Sequence, residues 1–318
     1  MIIGAGVSGL STAVCLAEAG YSVRVLAELP PEWTTSARAG ASWGPYMMTH
    51  PRALEWCQES FHILVDLAGK RRSGIHMGRG IEAAFSEVEP PGWAREVPTF
   101  AMCRPDELPA GYAVGWWYTL PLANMPVYLS FLADRLRAAG GTIERHRLAD
   151  LSDVFGTAEV IVNCSGLGSR ELVQDKELAP IRGQLLVVKN PGVDWFFQEY
   201  EDDEADGDPE EVTYFLPHGA VVVLGGCLHV GQEALEPDEG IRQRIRARCA
   251  AVEPLLADAE YLADRVGLRP MRSQVRVEAE EIDGQLIVHN YGHGGGGLTL
   301  SWGCAGEVRR LVGEMSHP

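Results

Sequence analysis

The chain has 318 residues, of which 46% are hydrophobic and 22% are charged, a composition typical of a globular protein. Its formal net charge of −17 argues against nucleic acid or an anionic membrane as a partner, because both are polyanions. The seven cysteines form no CxxC pair, and the sequence shows neither a signal peptide nor an apolar run long enough to span a bilayer, so we expect a cytoplasmic protein with reduced thiols.

The N-terminal residues predict a strand, a glycine turn, a helix over residues 7–19 and a second strand. In this arrangement Gly4 makes the turn, Gly6 admits a pyrophosphate, and Gly9 lets the helix pack closely on the strand. Glu28 follows at the spacing of about 20 residues at which an acid accepts hydrogen bonds from ribose hydroxyls. The context of strand, helix, strand and acid therefore predicts a dinucleotide site, although the first strand is too short to be typical and could weaken cofactor retention.

Residues 34–46 are mostly small and in part polar, without clear periodicity. Hydroxyl groups such as those of Thr34, Thr35 and Ser36 can hold phosphate, and an ordinary surface loop would have the same composition. The segment is therefore an open candidate for cofactor binding.

The middle of the chain predicts a different kind of structure. Residues 51–69 have a helical spacing of apolar positions, and residues 74–121 favour strands in a second layer with its own sheet. The pattern of buried parallel strands returns at 142–144 and at 158–166, where the strand ends in small residues including Gly166.

A further series of strands is predicted at 182–189, 212–216 and 220–226, followed by a surface helix over 237–252. The acidic segment 199–211 imitates a calcium loop, but no helices flank it and its twelfth position is not Glu. We interpret it as a solvated loop, or as a lid over a site.

Four successive glycines, Gly294 to Gly297, open a helix predicted to run from residue 298 to about residue 312. A turn without Cβ atoms lets a flat ligand lie against the backbone, and a helix start offers free N–H groups. Two glycine-rich helix starts in one chain suggest one long cofactor, held at its pyrophosphate by the first and at its reactive ring by the second.

The predicted fold is an α/β fold in which a Rossmann-like cofactor domain carries an inserted α+β substrate domain built on a mixed or antiparallel sheet. We assign residues 1–50, 127–180 and 255–318 to the first domain. Residues 51–126 and 181–254 are assigned to the second.

In its motifs the chain resembles the D-amino acid oxidase family of FAD flavoenzymes, within the glutathione-reductase-like superfamily. The most specific stretches are Gly-Leu-Arg-Pro-Met-Arg at 267–272 and His-Asn-Tyr-Gly-His-Gly at 289–294. The others are residues 4–11, 34–36, 43–46, 162–166, 182–184 and 224–226.

The resemblance implies a role for each of three residues at the reaction centre. Arg269 would bind the substrate carboxylate, which its planar fork suits, with an ordinary ion pair as the alternative. Tyr214 would meet the same carboxylate, with a tyrosine satisfied by the backbone as the alternative, and the Gly295 carbonyl would accept from the substrate amine. The cofactor-binding residues implied are Gly4, Gly6, Val7, Ser8, Gly9, Glu28, Thr34, Thr35, Ser36, Gly166, Arg269, Gly294, Gly295, Gly297, Leu298 and Thr299.

The reaction implied is FAD-dependent oxidative deamination of a D-amino acid by hydride transfer from Cα, with a 2-oxo acid, ammonia and H₂O₂ as products. A second tyrosine expected on the lid is replaced by Glu210, and Ser42 and Gly44 imply a roomier pocket. Leu228 occupies a position where the D-aspartate branch would have an arginine, which favours a neutral, apolar substrate.

Several alternatives stay open at this point. They are a glycine or other amine oxidase of the superfamily, a D-aspartate oxidase, an NAD-dependent dehydrogenase, and a flavin-binding protein without catalysis. We expect no metal, because His289 and His293 stand four apart outside a helix, and either a monomer or a homodimer.

Overall fold

The computed structural model describes residues 1–200 and 210–316. The α-helices within these ranges are α1 (Val7–Glu18), α2 (Thr35–Arg38), α3 (Ala53–Ala68), α4 (Gly92–Arg95), α5 (Met125–Ala138), α6 (Ser169–Leu172), α7 (Glu239–Val252) and α8 (Gly297–Ser316). The first seven strands are β1 (Ile2–Ile3), β2 (Arg24–Ala27), β3 (Ile75–Ala84), β4 (Ala101–Met102), β5 (Val114–Ala123), β6 (Thr142–Arg145) and β7 (Val160–Asn163). The others are β8 (Ala179–Lys189), β9 (Phe196–Glu199), β10 (Glu211–His218), β11 (Val221–Cys227), β12 (His229–Val230), β13 (Tyr261–Ile282) and β14 (Gln285–His293).

A parallel group of strands, in the order β14-β7-β1-β2-β6, forms the Rossmann-like part of the fold. The strands β1 and β7 are fully buried and apolar except for Asn163 at the end of β7, as is typical of parallel strands covered on both faces. The expected short first strand is present: Ile2 and Ile3 pair with β2 on one side and with β7 on the other. The α/β fold predicted from the sequence is confirmed.

The strands β4-β5-β3-β9-β10-β11-β8 form the second part, which is antiparallel except where β3 and β9 run parallel. We expected this part to have a sheet of its own. Instead, the described strands form one continuous sheet, because residues 261–271 of β13 pair with β8 and residues 271–282 pair with β14.

Helix α7 covers one face of the strands β8, β10 and β11 through Ile241, Ile245 and Cys249. The opposite face of these strands is therefore available to a binding site. Helices α1, α5 and α8 pack together over the Rossmann-like part, and α1 and α8 are in extensive contact.

Two local predictions need correction. Residues 35–38 form the short helix α2 rather than a loop, and α8 continues to residue 316, beyond the predicted end near residue 312. The acidic segment lies largely outside the described residues. Its ends are described, and they join the antiparallel neighbours β9 and β10. Within the described ranges, no helix is long and apolar enough to cross a membrane.

Candidate active site

A cavity of about 1030 Å³ lies along the carboxyl ends of the strands β1, β2 and β7 and continues over the face of the sheet that α7 leaves open. Ligands of open α/β sheets bind in this crevice. Most predicted site residues line it; Gly9 and Thr299 do not.

The turn after β1 requires its glycines for steric reasons. Gly4 has φ +108°, and a Cβ on it would lie 2.4 Å from the carbonyl oxygen of Cys164. A Cβ on Gly9 would lie 2.0 Å from the carbonyl oxygen of Gly4, so Gly9 brings α1 against the turn without facing the cavity. The three-glycine pattern therefore produces the close approach of helix and strand that a dinucleotide site needs.

The N-terminus of α1 meets the hydroxyl group that α2 supplies. The backbone N–H of Val7 donates to Ser36 Oγ at 3.0 Å, and Gly6 lies so near that a Cβ on it would be 3.0 Å from the same oxygen. Free N–H groups at a helix start suit a phosphate. Thr34 also lines the cavity, but its hydroxyl donates to the carbonyl of Pro31 at 2.8 Å.

Glu28 lies exposed at the end of β2, where it lines the cavity. Its carboxylate is 3.6 Å from Arg147 Nε, and its carbonyl accepts from Arg145 Nε at 3.2 Å. The predicted ribose acceptor therefore lines the cavity beside an exposed cation. Gly166, with φ +58°, lines the cavity at the end of β7.

The C-terminal glycine run packs against another segment of backbone. A Cβ on Gly294 would lie 2.3 Å from the Met47 carbonyl oxygen, and one on Gly295 would lie 2.8 Å from the ring of Tyr46. A Cβ on Gly297 would lie 3.6 Å from Val7, which brings the starts of α8 and α1 side by side.

The first turn of α8 is anchored to the loop that precedes α3. The Thr299 hydroxyl donates to the carbonyl of Gly44 at 2.9 Å, and the N–H of Gly44 points to the same hydroxyl at 3.2 Å. Thr299 can therefore serve a cofactor only through its backbone. Leu298 itself lines the cavity.

A buried hydrogen-bond network that the sequence did not reveal joins α1 to β14. Asn290 donates from Nδ2 to Thr12 at 3.0 Å, so its Oδ1 accepts from His293 Nε2, also at 3.0 Å. His293 Nδ1 then accepts from the Ser8 hydroxyl at 3.3 Å. Burial lowers the pKa of His293 to about 4, which keeps the ring neutral.

His289, the other histidine considered for metal, bonds to Glu280 and Asn163. The part of the chain that the structure describes contains no group of three or more His, Cys, Asp or Glu residues arranged to hold a metal. Both histidines have structural partners instead.

Arg269 lies across Gly183 at the cavity wall: a Cβ on that glycine would be 2.5 Å from Arg269 Nη1. This Nη1 donates to the carbonyl of Cys227 at 3.2 Å, and no carboxylate among residues 1–200 and 210–316 forms an ion pair with it. Arg272, three residues further along β13, is 2.9 Å from Asp175 and 3.1 Å from Glu177. Arg272 is therefore neutralised by carboxylates of the protein, whereas the guanidinium of Arg269 keeps donors for a ligand.

Tyr214 lies across Gly225 on the neighbouring strand, where a Cβ would be 2.4 Å from the phenol oxygen. Its side chain reaches Arg269, whose charge partly opposes the effect of burial; burial raises the pKa of Tyr214 to about 12. The phenol is therefore a neutral hydrogen-bond donor beside a guanidinium.

Apolar side chains surround this pair on the cavity wall: Val212, Leu185, Leu216, Leu228 and Met271. Glu210 is exposed and does not line the cavity; its carbonyl accepts from the N–H of Leu228 at 2.9 Å. The position that would carry a lid tyrosine therefore supports the wall through its backbone.

A buried carboxylate, Glu82, also lines the cavity and was missed from the sequence. Trp116 and Tyr118 on β5 donate to its Oε2. The signal is an acid among the buried apolar residues at the end of β3, and it becomes meaningful only once the strand pairing is known.

The arrangement fits a dinucleotide cofactor. Glycines without room for a Cβ, two adjacent helix starts and an acid at the end of β2 lie along one elongated cavity. Arg269 and Tyr214 lie beyond them, where a small carboxylate could bind.

Comparison with known proteins gives concordant results. Residues 1–311 match the family model described as "FAD dependent oxidoreductase". The chain is 45% identical over 316 residues to the D-amino-acid oxidase of Rubrobacter xylanophilus, covering 98% of this chain and 95% of that protein. It is 44% identical over 320 residues to the D-amino-acid oxidase of Streptomyces coelicolor, covering 98% and 96%. Among solved structures, the glycine oxidase of Bacillus cereus aligns with a TM-score of 0.79 at 20% identity, covering 98% of this chain and 94% of that one, a likeness of fold.

Proposed function

The chain belongs to the FAD-dependent oxidoreductase family that includes the D-amino-acid oxidases, and from this premise we propose that it catalyses oxidative deamination of D-amino acids, with neutral and apolar side chains preferred. The protein is an oxidoreductase with FAD as its cofactor. Its overall reaction converts a D-amino acid, water and O₂ into a 2-oxo acid, ammonia and H₂O₂.

The observation that carries this proposal is the pairing of Arg269 with Tyr214. A guanidinium on a cavity wall, with no carboxylate partner among the described residues, suits a carboxylate ligand that arrives from solution. The Tyr214 hydroxyl would donate to the same carboxylate.

The chain's own residues would bind and orient the substrate. With the carboxylate on Arg269 and Tyr214, the substrate amine would be held by the carbonyl of Gly295, as the family resemblance implies. The apolar wall excludes water and holds Cα in one orientation. Bound FAD supplies the acceptor for the two electrons and the hydrogen of Cα, and the route by which the electrons reach O₂.

The proposed cofactor contacts follow the length of the cavity. The start of α1, with Ser36 beside it, would bind the pyrophosphate, and Glu28 would bind the ribose. Gly294, Gly295, Gly297 and Leu298, with the backbone of Thr299, would border the flavin ring.

The preference for neutral side chains rests on the walls near Arg269. Leu228 is buried there, at the position where an arginine would favour an acidic substrate, and Ser42 and Gly44 add little bulk. The discontinuous domain division given above and a monomeric or homodimeric state remain proposals. A cytoplasmic location is proposed from the seven cysteines, all of which are free thiols.

Anaerobic mixing of the FAD-loaded protein with D-valine, and separately with L-valine, tests the proposal. Bleaching of the flavin absorbance by the D form alone, reversed by air with formation of H₂O₂, is the expected result. Bleaching by neither form nor by any member of a panel of D-amino acids would contradict it. A rate on glycine above those on D-alanine and D-valine would indicate a glycine oxidase instead.

A further inference from the structure

The two oxygens of the Glu82 carboxylate differ in their hydrogen bonds. It is 8% exposed and lines the cavity. Oε2 accepts from Trp116 Nε1 at 3.1 Å and from the Tyr118 hydroxyl at 2.8 Å. Among the described residues, no donor bonds to Oε1. The wall of the cavity therefore presents an oriented acceptor to whatever occupies it.

Aromatic rings surround this carboxylate. The ring of Trp116 is 5.3 Å from that of Tyr200, and the ring of Trp93 is 6.1 Å from that of Tyr118. Trp93 and Tyr200 also line the cavity. The faces of aromatic rings attract cations, most strongly where water is excluded, so rings and carboxylate favour the same kind of ligand.

Strand register places Glu82 in line with the proposed substrate site. Glu82 on β3 pairs with Gln198 on β9, which pairs with Tyr214 on β10. Paired residues on adjacent strands share a face of the sheet, and all three line the cavity. Two strand spacings separate the backbones of Glu82 and Tyr214 by about 10 Å.

The distance between Glu82 and Tyr214 indicates how long a substrate side chain must be to reach Glu82. Three extended backbone bonds span roughly 3.3–3.6 Å, so a side chain of five bonds reaches about 6 Å from Cα. The Glu82 side chain covers part of the remaining distance. The wall near Arg269 is apolar, which suits a methylene stem, and the charged group would come only at its end.

We propose that the Glu82 end of the cavity is a cation subsite, which receives the terminal ammonium or guanidinium of a basic D-amino acid whose carboxylate is bound by Arg269. This inference rests on the proposed function and assigns Glu82 as the residue that distinguishes a cationic tip from an apolar one on the same stem. A buried carboxylate without a cation is energetically unfavourable. In keeping with this, burial raises the pKa of Glu82 to about 7, with the bonds from Tyr118 and Trp116 opposing it.

The test uses ligand pairs that differ only at the tip. At pH 8, calorimetric titration of the FAD-loaded protein with 6-aminohexanoate and with hexanoate gives a ratio of dissociation constants. Turnover of D-lysine and D-norleucine gives the corresponding ratio of kcat/KM. We expect the wild type to bind 6-aminohexanoate at least tenfold more tightly than hexanoate, because tenfold is the scale of one charge-assisted hydrogen bond.

Glu82→Gln removes the charge while keeping an acceptor oxygen for Trp116 and Tyr118. It is expected to abolish the preference in both ratios while changing hexanoate binding and D-norleucine turnover less than threefold. Glu199→Gln is the matched control, because Glu199 also lines the cavity but bonds to Tyr112 and to the backbone of Thr213. This control is expected to keep the preference.

The outcomes separate the inference from the proposed function. If D-norleucine is oxidised but 6-aminohexanoate and hexanoate bind with equal affinity, the subsite is overturned and the oxidase stands. The same conclusion follows if Glu82→Gln keeps the preference unchanged. A Glu82-dependent preference in binding, without oxidation of any D-amino acid, would support the subsite and overturn the oxidase.

Discussion

Ser8 and His293, which are 285 positions apart in the sequence, are joined by a hydrogen bond of 3.3 Å between Oγ and Nδ1. Ser8 lies in the first turn of α1, and His293 immediately precedes the glycine run that opens α8. The bond therefore fixes the relative position of the two helix starts that border the cofactor cavity.

Replacing His293 by Leu should loosen this connection. It would leave the Oδ1 of Asn290 buried without its donor, and an unsatisfied buried group costs about 1–3 kcal/mol. We expect the free energy of unfolding, measured with urea, to fall by this amount and FAD to bind more weakly. His62→Asn, at an exposed position of α3, should leave both quantities unchanged; an equally unchanged His293→Leu would contradict the assignment.

The pH dependence of stability should change when Glu82 is replaced by Gln. The pKa of His293 is about 4 in the folded protein against an ordinary value of 6.5. The unfolded chain therefore binds more protons between these pH values, and stability falls as the pH drops through them. The pKa of Glu82 is about 7 in the folded protein against an ordinary value of 4.5. The folded state therefore binds more protons between these pH values, and stability falls as the pH rises through them.

The two groups change the free energy of unfolding in opposite directions as the pH rises, each by about 3 kcal/mol at most. Glu82→Gln removes the second effect. Unfolding by urea at pH 5, 6 and 7 should show stability rising more steeply with pH in Glu82→Gln than in the wild type. Parallel curves for the two proteins would show that Glu82 keeps an ordinary pKa.

Arg269 and Arg272 should respond differently to replacement by Leu. Arg269→Leu removes a charge-assisted pair with the substrate, worth about 1.5–3 kcal/mol, so KM should rise roughly ten- to a hundredfold with little loss of stability. Arg272→Leu leaves the buried Asp175 without its cation, so stability should fall while KM changes little. Steady-state kinetics and thermal unfolding of the two variants check this, and an unchanged KM in Arg269→Leu would disprove the assigned role.

Gly225→Ala should displace the phenol of Tyr214. The added Cβ would lie 2.0 Å from its Cζ, so the hydroxyl could no longer stay beside Arg269. We expect kcat/KM to fall at least tenfold while the bound FAD, measured by absorbance, is retained. Gly92→Ala is the control because its Cβ would meet no atom within 4 Å. Full activity in Gly225→Ala would exclude a role for the Tyr214 hydroxyl.

Features that depend on neighbouring residues were accessible from the sequence. The Gly4–Gly6–Gly9 spacing and the short first strand could be predicted because a turn, a helix start and a strand follow one another directly. The role proposed for Arg269 came from its surrounding motif. The helix α2 was missed because four residues are too few to show a helical period.

Features that depend on register between distant strands were not accessible. Glu82, Gln198 and Tyr214 come from three separate segments, and only the pairing of β3, β9 and β10 aligns them. The partners of His293 likewise come from α1 at the other end of the chain. The sequence shows these residues individually but not which of them lie next to one another in the fold.

Strand β13 is hydrogen-bonded to β8 along its first half and to β14 along its second. Unfolding of either half of the molecule would remove hydrogen-bond partners from β13, which is also paired with the other half. The two halves of the molecule should therefore denature together, as one calorimetric transition whose van't Hoff and measured enthalpies agree. An isolated cofactor half cut out at the proposed domain boundaries would expose a new unpaired edge along the first half of β13 and would be prone to aggregation.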